Sequence, residues 1–475
     1  MKKIYFLFLS ITFIFCSCSG LNSYYSKLEK DMFCNSNEQA KELISSSKKA
    51  YGTKNEFLYY VDLGLMQHIS KNYQDSNNSF EQAKQIYDQN YTKSISAAAF
   101  SLFANDNVIP YYGNPYEMAY VNVFCALNYI LQDQNNEAVV EARQVDNLFK
   151  KQNVDSYGKA FYTDDPFIRY FMGIVYENAG YYNDAVISYK LALKSYSSNH
   201  NVYSLPAPKD LIYSLYNLYK KLGFSQEANE LRKQYSITEP EKKENSGELI
   251  IVNYNGISPR KIDDIIEMSF YRAWPYFTSV KVESYEQEQA EKVRAAVQAG
   301  FSDDYIKIAF PRYERYNNKI SSFIIEEVNF NKDITNSNYK SYKVCDIGSL
   351  MIAALQRENL AIYSKTIARA VGRYVLAKVV TNQIRQQESD NDHTFSILAN
   401  SILNVTNSLL EKADKRSWRT LPEQINMSRI YLQEGIHTLN IKYLDSAGTN
   451  VYTEQIVVHI KQNEKTFVVT KSFKN

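Results

Sequence analysis

Residues 166–196 read PFIRYFMGIVYENAGYYNDAVISYKLALKSY. Apolar residues recur every three or four positions on both sides of Gly180, which marks a turn between two helices. Gly173, Ala185 and Ala192 are small residues placed where two antiparallel helices must approach. Tyr176, Tyr182 and Tyr189 fall at offsets that fill the space beside them. The stretch predicts a helical hairpin shaped to stack on copies of itself.

Working outward, the same frame returns. Gly64, Ser76, Phe80 and Ala83 fit it, with Tyr73 in the turn, and so do Ala126, Tyr129, Ala138, Ala142 and Val145. A worn fourth copy runs through Tyr216, Tyr219, Gly223 and Ala228. These offsets resemble the tetratricopeptide repeat, with copies at 57–87, 119–148 and 166–196. Their uneven spacing requires extra helices or loops at Ser94 to Phe103 and Asn107 to Pro115. The resemblance implies a groove lined by the first helix of each copy. In the first copy its positions are Leu58, Val61, Leu65, His68 and Ile69. In the second they are Tyr120, Val123, Leu127, Ile130 and Leu131, and in the third Phe167, Tyr170, Ile174, Glu177 and Asn178. Monomers rarely expose so apolar a surface. Either an amphipathic helix of a protein partner occupies it, or the chain's own intervening helices do. Tyr120, Leu127, Phe167, Tyr170, Ile174, Glu177 and Asn178 are the candidate partner contacts.

The first 17 residues have the pattern of a signal peptide: Lys2 and Lys3, an apolar run from Ile4 to Phe15, then Ser17. The run is too short to span a bilayer comfortably. Phe15-Cys16-Ser17-Cys18 resembles the bacterial lipobox, with Phe15 where Leu is usual, which implies lipidation (a palmitate or similar acyl chain) at Cys18. Acyl chains contribute about 0.8 kcal/mol per buried methylene, so a multiply acylated cysteine would hold the chain on a membrane through a short tether, residues 18–24. Ser19, in place of Asp, points to the outer membrane and a periplasmic face. The chain holds 54 basic and 52 acidic residues. Lys2 and Lys3 belong to the leader, so the remainder is balanced, which argues against a nucleic-acid partner.

Thr238 to Asn245 is polar and charged, and beyond it the period changes. Glu248 to Tyr254 predicts a strand, followed by Ser279 to Ser284, Tyr305 to Phe310 and Phe323 to Phe330. Ile347 to Gln386 predicts a helical stretch broken once, and Phe395 to Lys412 a second helix. Strands return at Arg429 to Leu432, Thr438 to Tyr443, Val451 to Ile460 and Thr466 to Lys471. The expected class is a multidomain α+β protein. A helical repeat domain (25–237) and a linker (238–246) precede a β-rich domain (247–475) with a helical pair inserted at about 345–412.

Several segments together resemble a family of bacterial lipoproteins with N-terminal tetratricopeptide-like repeats and a C-terminal β-rich domain. The carriers are Tyr112-Gly113, Tyr116-Glu117, Ala126-Leu127-Asn128-Tyr129, Glu141-Ala142-Arg143, the strand from Gly247 to Val252, and Arg416 to Pro422. The resemblance implies a cell-envelope location and no established enzymatic activity. No phosphate loop, zinc helix or nucleophile elbow is present, and the five histidines show no ligand spacing, so no catalytic residue, cofactor or metal is expected. Glu326-Glu327 and Asp263-Asp264 are adjacent pairs whose side chains should point apart. His437 and His459 either approach each other across strands or are solvated or core histidines. Cys34, Cys125 and Cys345 read as buried small hydrophobes. Lys365, Arg369 and Arg373 make a basic stripe on a helix, either a solvated face or a contact for anionic lipid or peptidoglycan glycan. Trp418, between Arg416 and Arg419, is either core or part of that glycan site. A protein-interaction scaffold in envelope or cell-wall assembly is the leading function, with glycan binding by the β-rich domain as the alternative.

Overall fold

The computed structural model describes residues 19–34, 36–96, 109–155, 165–198, 202–238, 245–279, 287–298, 305–328, 339–386 and 413–474. Helices α1 (Ser19–Phe33) and α2 (Asn37–Ser46) lead into four hairpins. These pair α3 (Glu56–Ile69) with α4 (Tyr73–Ser96), α5 (Pro115–Ile130) with α6 (Asn135–Asp155), α7 (Pro166–Asn178) with α8 (Tyr182–Tyr196), and α9 (Lys209–Leu222) with α10 (Ser225–Tyr235). The recurring frame is the contact frame. A Cβ on Gly173 would stand 2.4 Å from the Tyr189 ring, and one on Gly64 would stand 2.8 Å from Phe80, so the first and third hairpins close on a glycine. Helix starts are equally local. Asn114 and Glu117 form a reciprocal capping box around Pro115, and Asp165 accepts from the Ile168 amide at 2.8 Å.

The strands are β1 (Ser246–Ile257), β2 (Arg260–Ser269), β3 (Tyr305–Glu314), β4 (Ser322–Val328), β5 (Tyr339–Lys340), β6 (Tyr342–Asp346), β7 (Pro422–Gln433), β8 (Gly435–Leu444), β9 (Asn450–Ile460) and β10 (Lys465–Ser472). One sheet has the order β10-β1-β7-β6, with β1 antiparallel to β7 and parallel to β10; a second has the order β5-β4-β8-β9. Every position of β1 is buried. Ile250, Val252 and Tyr254 pack on the repeats, while Leu249 and Ile251 pack on the second sheet. A strand buried on both faces has no polar side to show, hence its unbroken apolar run. The molecule is layered as repeats, first sheet, second sheet.

A further core lies among the β2–β3 ribbon, α11 (Phe270–Ser279), α12 (Gln287–Gln298) and the later part of α13 (Ile347–Gln386). The class is α+β, as the sequence predicts, but the two halves share one core through the first sheet. β1 begins at Ser246, inside the expected linker, and α13 runs unbroken from the end of β6. Strand β2 was not legible, and Ser279 closes a helix instead of opening a strand. Positions 280–284, the expected helix at 395–412 and Cys18 lie outside the described residues. Cys34 is exposed, contrary to expectation, whereas Cys125 and Cys345 are buried, and all three are free thiols.

Candidate functional site

The groove face of the repeats is covered. The candidate contacts Tyr120, Leu127, Phe167, Tyr170 and Ile174 are all buried. Among the described residues, what packs against them is the first sheet together with the segment around Trp418. A strand presents its side chains perpendicular to the sheet, so β1, β7 and β6 together supply a wide apolar face that one helix cannot.

Each repeat hooks that face through a polar group on its first helix. His68 meets the Tyr254 hydroxyl through Nε2 at 2.8 Å and Asn128 Oδ1 through Nδ1 at 2.5 Å. Asn128 donates its amide to Ser76 and Asn77, which fixes its oxygen toward the imidazole. Nδ1 therefore carries the proton and Nε2 accepts from tyrosine. Burial pushes the His68 pKa down to about 4. Asp62 accepts from the Thr420 amide (3.1 Å) and hydroxyl (2.9 Å) and from Tyr51 (3.0 Å), yet burial raises it to about 6. Glu117 accepts from the Trp418 amide at 2.9 Å. The Tyr120 hydroxyl lies 2.9 Å from Cys345 Sγ, and Arg429 donates to the Tyr170 hydroxyl at 3.0 Å.

Two of the candidate glycan contacts, Trp418 and Arg369, are interior, which for Trp418 is the core alternative. Trp418 is fully buried against Phe80 and Phe124, with its indole N–H donated to Thr420, so it presents no face to a glycan. In the Lys365, Arg369 and Arg373 series Arg369 is buried, and the three do not form an exposed stripe. His437 and His459 stand on opposite faces of the β8–β9 ladder, since His437 faces Val458 and His459 faces Ile436. His437 meets Glu327 at 2.6 Å, while Glu326 turns the other way to Lys442 at 2.7 Å.

The groove opens at one end, where α7 carries its last two predicted contacts. There Glu177 and Asn178 border a cleft of about 890 Å³. One wall is formed by the ends of the repeat helices, including Asp133, Tyr182, Lys220 and Lys221. The other is the start of β1, Tyr431 and the β9–β10 turn from Asn463 to Lys465. Its floor is a buried charge network. Arg429 donates to Glu248 at 2.6 Å, Lys465 bridges Glu248 (2.8 Å) and Glu177 (3.3 Å), and Tyr189 donates to Glu177 at 2.6 Å. Burial alone would raise the Glu248 carboxyl, but Arg429 and Lys465 outweigh it and hold it at about 2. Higher up, Lys221 lies 3.6 Å from the centre of the Tyr182 ring and Asn178 donates to Asn135 at 2.8 Å.

Donors, acceptors and both signs of charge thus meet in a volume suited to several residues of extended chain. Among the described residues no group of His, Cys, Asp and Glu is placed to hold a metal ion. Sequence reasoning found Glu177 and Asn178 and missed Glu248, Arg429 and Lys465. The available signal was charge at the start of a strand that is otherwise apolar, because a buried charge demands a partner.

No family model and no curated protein matches the chain. Among solved structures, a Podosopora anserina kinesin light chain with nearly identical TPR-like repeats is 15% identical; the match covers 46% of this chain and 93% of that one, at a TM-score of 0.31. The apo form of RapI is 9% identical, with 86% and 80% covered and a TM-score of 0.34. The Rap conjugation regulator of plasmid pLS20, solved with the Phr* peptide, is 12% identical, with 82% and 71% covered and a TM-score of 0.26. Overlaps this loose carry no functional information. The hairpins with their glycine contacts show the fold. The helical half is tetratricopeptide-like.

Proposed function

We propose that this chain is a non-enzymatic scaffold of a bacterial cell envelope. The lipid on Cys18 anchors it to the outer membrane on the periplasmic side, and the cleft takes an extended segment of a protein partner. The observation that carries this reading is the cleft's position: it is the part of the repeat groove that the first sheet leaves open. A segment laid there would meet amide acceptors and donors along its backbone, and charges of both signs for its side chains. The anchor reading rests on the lipobox-like Cys18 and agrees with the described helices, none of which is long and apolar enough to cross a membrane.

A peptide library screened against the full chain tests the cleft. Bound peptides should lose affinity about tenfold or more in Asn178→Arg and in Lys221→Glu, both at the rim, with urea unfolding unchanged. Peptides insensitive to both changes would sink the cleft as the site. Palmitate labelling tests the anchor, and label that survives Cys18→Ala overturns it.

A further inference from the structure

Strand β9 is the outermost strand of the second sheet, and among the described residues no strand pairs with its outer edge. Sheet edges expose unpaired N–H and C=O groups, and folded proteins blunt them with Lys, Pro, bulges, short strands or covering segments. The other edges of the two sheets follow that rule. β5 is two residues long and ends in Lys340. β10 carries Lys465 and Lys471 near its ends. β6 is approached by the repeats, with Tyr196 donating to the Val344 carbonyl at 2.6 Å. β9 runs for 11 residues, NVYTEQIVVHI, with neither Lys nor Pro; its ladder to β8 shifts register at Val451, so its regular edge is Tyr452 to Ile460. Thr453, Gln455, Val457 and His459 on its outer face are exposed, Val457 to 67%, and Ile436 on neighbouring β8 is 75% exposed.

We propose that β9 pairs with β9 of a second copy of this chain, antiparallel about a two-fold axis at Gln455. The strand matches its own reversal. In that register Thr453 faces Val457 of the second copy, Tyr452 faces Val458 and Glu454 faces Ile456. β-Branched and aromatic residues are thus paired across the seam, as stable ladders favour, and no charge faces a like charge. Glu454 is the strand's one acidic residue. It is satisfied within its own copy, where it accepts from the Tyr443 hydroxyl at 3.0 Å and feels the charge of Lys471. One isologous contact consumes both open edges and joins the two four-stranded sheets into one. Thr453, Gln455 and Val457, at the centre of the seam, do not line the cleft.

Light scattering on the full purified chain at micromolar concentration should give twice the monomer mass. Thr453→Lys with Val457→Lys places lysine opposite lysine twice and should weaken self-association about a hundredfold. Thr453→Glu with Val457→Lys places opposite charges at the same points and should restore the dimer, a rescue specific to this register. A monomeric wild type, a dimer that persists in the lysine pair, or two double variants that behave alike overturns the proposal. If the lysine pair fails to fold, Gln455→Arg brings two like charges together on the axis. A dimer that persists in that variant overturns the proposal equally.

Discussion

The interior of the groove and its mouth are built on the same helices and fastened by opposite electrostatics. Inside, the hooks are neutral or driven toward neutrality: His68 is pushed down to about 4, and Asp62 and Asp165 are pushed up to about 6. At the mouth the groups stay charged, and Glu248 is held at about 2 between Arg429 and Lys465. Burial acts on both regions. At the mouth Arg429 and Lys465 are close enough to outweigh it, and the mouth is open to solvent. His68, Asp62 and Asp165 thus fasten the repeats through groups whose charged forms burial disfavours, whereas Glu248 is fastened through its charge.

The largest effects should separate the two regions by their pH dependence. Trp418→Ala empties a fully buried site in the interior and should cost about 4 kcal/mol. Arg429→Met, at the mouth, leaves Glu248 with Lys465 alone and should cost about 3 kcal/mol near neutral pH. The two losses part as pH falls toward 4, because a Glu248 no longer held down by arginine takes up a proton and the Arg429→Met penalty shrinks. The Trp418→Ala penalty has no such dependence. Urea midpoints at several pH values give both curves, and parallel curves would break the contrast.

Next in size are the interior's own titrations, which oppose each other. The unfolded His68 binds a proton below its ordinary 6.5, whereas the folded one does not until about 4. Its contribution is complete above pH 6.5 and is lost as pH falls toward 4, by about 3 kcal/mol in all. Asp62 has the reverse sign. Raised from 3.8 to about 6, it favours folding most at low pH and loses that advantage as pH climbs through this interval. His68→Gln should remove the acid-side fall, and Asp62→Asn the opposing rise. Stability profiles of both variants that superimpose on the wild type would show that neither group is held as described.

Smaller again is Gly173→Ala. The added methyl would meet the Tyr189 ring and force it aside, at about 2 kcal/mol by thermal unfolding. That glycine also shows what was legible in the sequence. A helical hairpin is a local object whose small residue and facing aromatic lie about one helix apart, so residues 166–196 disclosed both helices and their contact. The groove positions followed from the same frame. Its occupant did not, because β1 meets β7 and the repeats across hundreds of residues, and no period records such a meeting. Glu248 and Arg429 give the limit its sharpest form: each looks misplaced in a strand until the other is seen beside it.

The smallest effect on stability carries the most functional weight. Lys221 sits at the rim of the mouth with its ammonium on the Tyr182 ring, and such a contact is worth about 0.5 kcal/mol where solvent reaches it. Lys221→Ala should therefore leave the unfolding midpoint almost unmoved. If the mouth takes a peptide, the same change removes a donor and a charge from the wall the peptide lies against, and affinity should fall severalfold. Interior substitutions behave in the opposite sense. Leu127→Ala should lower stability by about 3 kcal/mol while the folded fraction binds peptide with unchanged affinity. Measuring both quantities on both variants assigns the two regions independently. A Lys221→Ala that destabilises without touching affinity would place the working surface elsewhere.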